Sequence, residues 1–324
     1  MKCDTTSKKI YIYGESHFTH EIQDKELEIW SDFYQNKNMR HLFIEYPYSF
    51  AEFLNIWMKA ENDDILNTMR GDLEKVRDED LTFDDFLRRI KKDFPQTIFH
   101  GTDLDHQYDT IGSQFIKYLE SNNQKDTEQY QIALKTIEQG KIYHENSKLN
   151  GVYNEEFRET ALTENFFREF DKLISQDIMG IYGRSHTDCY CYEPDVISFG
   201  QRLICRYGTA VNIIDLSYLD KTYWEVININ EKDYKAYQIG GHEIKINDWV
   251  FREYYRLENA YDDFKDKTKT GSFIYYKNFP RQVNFNDVYV VVYQRKDESE
   301  ERFYYRSDGK FIDGLPITEE FLIE

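Results

Sequence analysis

Four segments of the chain place ionisable side chains where they could do chemistry. GESHFTH carries Glu15, His17 and His20, and FIEYP carries Glu45. GTDLDH carries Asp103, Asp105 and His106, GRSH carries Arg184 and His186, and Asp215 closes a further apolar run. A histidine with an ordinary pKa of about 6.5 beside a carboxylate can take a proton from water near neutral pH. Such a reaction needs no covalent nucleophile. The sequence has no G-x-S-x-G elbow, and nothing marks a cysteine as a thiolate nucleophile. Taken singly, each residue has a bland explanation. A lone histidine is readily satisfied in a core or on a surface, and a carboxylate near a helix start, such as Glu21 or Asp105, caps it. Their recurrence at successive strand ends favours a shared site.

The positioning elements follow from the apolar pattern. KIYIY (9–13), HLFIE (41–45), TIFHG (97–101), IMGIYG (178–183) and AVNIID (210–215) are short runs rich in β-branched and aromatic residues, which predicts strands. Helical spacing fills 21–36, 105–122 and 155–176. This alternation predicts an α/β fold, a three-layer α/β/α core with a mostly parallel sheet. In such a sheet ligands bind beyond the carboxyl ends of the strands, where the ionisable residues above fall. The intervals 46–96 and 104–177 exceed a simple crossover, so helical insertions are expected there, with amphipathic segments at Leu54–Met58, Ile65–Val76, Phe83–Ile90 and Tyr130–Ile142. After Leu219 the pattern changes to alternating segments broken by Gly, Asn and Asp, which predicts a β-rich antiparallel lobe. Within it, 249–264 (WVFREYYRLENAYDDF) is expected to be a helix, and GGH (240–242) a hairpin turn with His242 exposed. The many tyrosines of this region fit strands with one wet face. The expected organisation is a 1–218 α/β core followed by a 219–324 lobe, within one domain or as a second.

Bulk properties narrow the partners. With a net charge of −19 and no long basic block, the surface repels polyanions, which argues against nucleic acid and anionic membrane. The first residues lack the apolar stretch of a signal peptide, and no segment reaches the ~20 apolar residues of a membrane span, so a cytoplasmic location is expected. Cys3, Cys189, Cys191 and Cys205 are too few and too scattered for a disulfide framework and read as reduced thiols. The C-x-C pair after His186 has no second pair to complete a zinc site, and Tyr190 and Tyr192 beside it are expected to pack or to line the cleft.

GESH (14–17), FIEYP (43–47), GTDLD (101–105) and GRSH (183–186), in that order, resemble the serial motifs of the erythromycin-esterase and ChaN-like superfamily, to which the TIKI/TraB group is distantly related. RETALTENF (158–166) resembles the Arg-acidic helix motif of the esterase branch, with Arg158, Glu159 and Asn165 in matching places. The resemblance covers about the first 218 residues. GESH has the spacing of the ChaN-like branch and not the GE-x-x-H of the esterases. The resemblance implies that His17 is a general base activating water and that Glu15 and Glu45 orient it or the water. His186 would stabilise charge or move a proton, and Arg158 or Arg184 would hold a substrate anion or oxyanion. Asp103 and His106 complete the candidate substrate-binding set, with His20 as the alternative to His17.

The expected activity is therefore hydrolysis of an ester or amide in a small-molecule or peptide substrate. Two alternatives use the same residues. His17, Glu15, Glu45 and His186 could hold Zn, Mn or Co in a metal-dependent peptidase, although neither HExxH nor a Cys/His zinc spacing is present. A non-enzymatic haem- or metal-binding protein is the other. A tailoring enzyme for a peptide or small natural product, its substrate recognised by the β-rich lobe, is a further possibility.

Overall fold

A computed structural model describes residues 8–70, 78–187, 196–221, 223–246, 248–274, 279–280, 283–308, 310–312 and 315–323. Cys3, Cys189, Cys191, Tyr190 and Tyr192 lie outside these; Cys205 is an exposed free thiol. The chain divides into two compact units, Met1–Leu216 and Ser217–Glu324.

Among the described residues of the first unit, five strands form a parallel sheet: β1 (Ile10–Glu15), β2 (His41–Pro47), β3 (Ile98–Asp103), β4 (Ile178–Gly183) and β5 (Val211–Asp215). Their spatial order is β3-β2-β4-β1-β5. The alternation IYIY explains how β1 is buried on both sides. Ile10 and Ile12 join Phe43 and Ile178 under α7 (Glu155–Lys172) and α9 (Phe199–Tyr207), where Leu162, Phe166, Phe170 and Leu203 meet them. Each fully buried Phe here contributes roughly 1.5–3 kcal/mol. Tyr11 and Tyr13 point the other way and meet Phe33 of α1 (His20–Asn36), so helices cover both faces.

Connections run towards one edge through β1, β2 and β3, then return through β4 and β5. The reversal places the crevice at the carboxyl ends of β1, β4 and β2. The interval 46–96 holds α2 (Tyr48–Trp57), α3 (Asp64–Arg70) and α4 (Asp78–Asp93). The interval 104–177 holds a π-helical turn (Tyr108–Gly112), α5 (Ser113–Ser121), α6 (Glu128–Asn150) and α7. β3 is an edge strand, and Asn55 of α2 covers it: its amide takes the Phe99 N–H at 2.8 Å and donates to the Phe99 carbonyl at 2.9 Å. Asp105 accepts from the Gln107 N–H at 2.9 Å and from Ser49 at 2.7 Å, which fixes the turn before Tyr108; the helical turn there has Gln107 at its N-cap and no side-chain cap, so the expected capping role is corrected.

The second unit is a seven-stranded sheet ordered β6-β7-β8-β10-β11-β14-β9, with antiparallel pairing throughout. These strands are β6 (Trp224–Ile229), β7 (Lys232–Ile246), β8 (Trp249–Leu257), β9 (Lys269–Ile274), β10 (Val288–Arg295), β11 (Glu300–Arg306) and β14 (Thr318–Phe321), with a small β12 (Phe311–Ile312) and β13 (Leu315–Pro316) pair apart from them. Three expectations are corrected here. Trp249–Leu257 is strand and not helix, laddered to β7 and β10, and only α10 (Tyr261–Phe264) is helical. Gly240–His242 lies inside β7 at a register shift, and His242 is half-buried against Arg252 at 2.9 Å. Nor is one face of the centre wet: Val288, Val290 and Val292 enter one apolar cluster, while Tyr289 and Val291 enter another on the opposite face.

Candidate active site

The strand order lines up the chemistry. Glu45 ends the regular part of β2, and three residue steps from Ile44 to Pro47 face two on β3, from Gly101 to Asp103. This extra residue bends the strand end and re-aims its side chains. The bulge requires a glycine opposite, because a Cβ on Gly101 would stand 2.2 Å from the Pro47 carbonyl oxygen. β4 lies between β2 and β1, so Glu45 is reached from β4 and from the turn after β1. The Gly183 N–H donates to it, His186 Nε2 lies 3.0 Å away, and His17 Nε2 lies 3.9 Å away. Gly183 also has a steric reason: a Cβ there would stand 2.9 Å from His17 Nε2 and 3.0 Å from Glu45 Oε2.

His17 sits on the turn between β1 and α1, where Phe18 takes a positive φ of 62°. Its Nδ1 is 2.8 Å from Glu15 Oε1, and its side chain is 48% exposed, so the ring is held by one nitrogen and reachable at the other. His186 is buried on the single turn α8 (Arg184–Thr187), and its Nδ1 donates to Glu159 of α7. Glu159 also accepts the Phe199 N–H at the start of α9. Arg158, one residue earlier on α7, donates to Glu45 at 2.8 Å and to Asp103 at 2.7 Å.

These contacts set the charges. Burial alone would raise the Glu45 carboxyl, but His186, His17 and Arg158 overcome it and bring the pKa down to about 2. Burial is likewise outweighed at Asp103, which Arg158 and His106 hold far below the usual carboxylate range. Burial would lower His186, yet Glu45 and Glu159 push it up to about 10. For His17 burial is again the largest single influence and lowers the pKa, but the Glu15 hydrogen bond and the charges of Glu45 and Glu15 together lift it to about 9. The expectation of a base poised at its ordinary value is thereby corrected: two carboxylates hold the proton on this ring.

Asp103 and Glu45 share Arg158, and His106 lies 3.3 Å from Asp103 and 3.1 Å from His144, leading away towards Tyr143 and Tyr153. Arg184 pairs with Asp215 at 3.2 Å. Both arginines are thus engaged by protein carboxylates. His20 is exposed at the start of α1 and takes no part in the cluster's ion pairs. As a ligand shell the four residues His17, Glu15, Glu45 and His186 fit poorly. Both ring nitrogens of His186 face carboxylates, Glu45 is occupied by Arg158 and Gly183, and among the described residues no three His, Cys, Asp or Glu side chains are disposed to hold a metal ion.

Glu15, His17 and Glu45 open onto a cleft of about 600 Å³, mouth included, whose far wall is aromatic. Tyr46 stacks on Phe83 with centroids 4.9 Å apart, and Phe83 packs against Phe86. α4 therefore supplies a wall of the cleft. Two further candidate positions escape the reading of strand ends. Glu159 enters it only as part of a helix motif, although it is the acceptor for His186. Glu26 of α1 lines the cleft unannounced, and its one signal is an acidic residue on an otherwise apolar stripe between Ile22 and Trp30.

No protein-family model matches the chain, and no curated protein matches it. Among solved structures, a mutant erythromycin esterase in its open conformation is similar at 14% identity and a TM-score of 0.47, covering 68% of this chain and 72% of that one. A Bacillus cereus protein is similar at 15% identity and a TM-score of 0.42, covering 64% of this chain. The match spans 65% of that protein's length, under two thirds of it.

Proposed function

We propose that the cleft is the active site of a hydrolase in which His17 activates water for attack on an ester or amide. The observation that carries this reading is the disposition of His17: Nδ1 is fixed by Glu15, and Nε2 lies 3.9 Å from Glu45, with both residues lining the cleft. Two ordinary hydrogen bonds of about 2.8 Å close a triangle on that base, so one water can contact both groups. Neutral His17 takes the proton as the water oxygen bonds to the acyl carbon. The imidazolium then returns it to the departing alkoxide or amine, and the cycle balances without a covalent intermediate. Glu45 remains an anion throughout and orients the water, held by His186 and Arg158. The bond class follows the resemblance of the strand-end motifs, and the aromatic wall suits the apolar part of a small substrate.

The test is turnover of a panel of nitrophenyl esters, lactones and anilides. His17→Ala is expected to lose at least about 10²-fold in kcat/KM, the usual contribution of a general base, while still folding, with only a modest drop in melting temperature because the ring is half-exposed and its pairs with Glu15 and Glu45 are screened by solvent. Full activity in a folded His17→Ala protein removes His17 from the mechanism.

A further inference from the structure

One buried carboxyl in the cleft has no part in the mechanism above. Glu26 is 1% exposed, lies on the face of α1 that packs on the sheet, and borders the cleft beside Glu15 and His17. It is within hydrogen-bonding reach of Glu15. Two carboxylates cannot hydrogen-bond to each other, and with Glu26 as an anion its buried Oε1 has no donor among the described residues. A proton on Glu26 resolves both problems, removing an uncompensated buried charge and creating a donor aimed at Glu15.

We propose that Glu26 is a positioning residue: its neutral carboxylic acid donates to Glu15, which in turn holds His17 Nδ1–H and leaves Nε2 as the nitrogen facing the cleft. The groups facing this pair agree with that assignment. Glu15 comes from β1, His17 from the turn after it, Glu45 from β2 and the uncharged Gln23 from α1, while the described α4 residues that line the cleft are the apolar Phe83 and Phe86. Among the described residues that line the cleft, His17 is the one that can carry a positive charge, and Glu15 and Glu45 already pair with it. Burial, reinforced by the Glu15 charge, raises the Glu26 pKa well above the ordinary carboxyl value. The arrangement is that of a carboxylic acid kept neutral so that it can donate.

This inference rests on the reading of His17 as the water-activating base, but its geometry can be tested without turnover. In the full chain labelled with ¹⁵N-histidine, the pKa and tautomer of His17 are read by NMR for the wild type, Glu26→Gln and Glu26→Leu. Glu26→Gln keeps a neutral donor, so the His17 pKa is expected to move by less than about 0.3 unit, with Nδ1–H retained. Glu26→Leu continues the apolar stripe but frees Glu15. The neutral ring is then expected to lose its tautomer preference, and the pKa to fall by about one unit. A fall of about one unit in Glu26→Gln would mean that a negative charge had been removed, and the proposal is overturned. An unchanged His17 in Glu26→Leu overturns it as well, and if that variant does not fold the Gln variant decides alone. A relay intact by NMR alongside full activity in His17→Ala would leave the relay standing while removing the hydrolase reading.

Discussion

A histidine clamped by carboxylates gives up its proton late, and this shapes what the site can do at each pH. His17, lifted to about 9, is neutral in only about one molecule in a hundred at pH 7. The hydrolase reading therefore predicts that kcat/KM rises with pH, tenfold per unit at first, and levels above about 9. In Glu15→Gln the main support for the proton is gone, so the limb moves towards neutral pH while the plateau falls through lost orientation. A pH-rate profile that is flat between pH 6 and 9, on the order of the range His17 would titrate through, would falsify the neutral ring as the base. His186 carries a stability argument with a definite sign. Its folded pKa of about 10 lies above its unfolded value, so its contribution is complete below about pH 6.5 and is lost as pH rises towards 10. Glu45 works in the opposite sense: its contribution is complete above about pH 4.5 and is lost as pH falls towards 2. Melting temperature should thus decline on both flanks, and in His186→Gln the alkaline decline should be shallower. An identical alkaline slope in that variant would mean that the ion pairs around His186 do not couple to folding.

The elements that place these residues depend on close backbone approach at two glycines. A methyl on Gly101 meets the carbonyl of Pro47, which is backbone and cannot swing aside. Gly101→Ala is expected to cost about 1–3 kcal/mol of stability and to disturb Glu45 through the bulge. A methyl on Gly183 meets side-chain ends, His17 Nε2 and Glu45 Oε2, so Gly183→Ala should fold nearly normally yet lose activity. Denaturant melts and ester rates separate the two; equal stability loss in both variants would contradict the distinction. How much of this was legible in the sequence follows from the same physics. The five parallel strands could be read because buried strands need runs of β-branched and aromatic residues, and their ends could be read because Glu15, Glu45 and His186 interrupt those runs. Glu26 was hidden, since an acid on a helix ordinarily marks the wet face and only its place on the Ile22–Trp30 stripe says otherwise. The 249–264 stretch misled for a related reason. Charges at Arg252 and Arg256 suit helical pairing, whereas Tyr254, Tyr255 and Leu257 alternate between two buried faces of a sheet that no local window contains.

At the scale of the whole molecule, every residue assigned to the cleft belongs to Met1–Leu216, and that unit has apolar clusters built from its own helices and strands. Among the described residues, two apolar clusters of Ser217–Glu324 are likewise built from that unit's own strands and loops. A domain with its own core is expected to fold by itself. A chain ending at residue 216 should therefore unfold cooperatively and keep the late titration of His17, because Glu15, Glu45 and Glu26 all remain. It should also hydrolyse the smallest esters of the panel at rates within about threefold of the full chain, since the described residues that line the cleft come from α1, α4, the strand ends and the turn after β1. Larger substrates test whether the β-rich unit contributes at all: a rise in KM on truncation with kcat preserved would be the mark of lost uniform binding. Should the shortened chain fold and retain a late-titrating His17 but lose kcat on the smallest esters as well, then the second unit acts on the reacting centre itself, and the cleft of the first unit is only part of the active site.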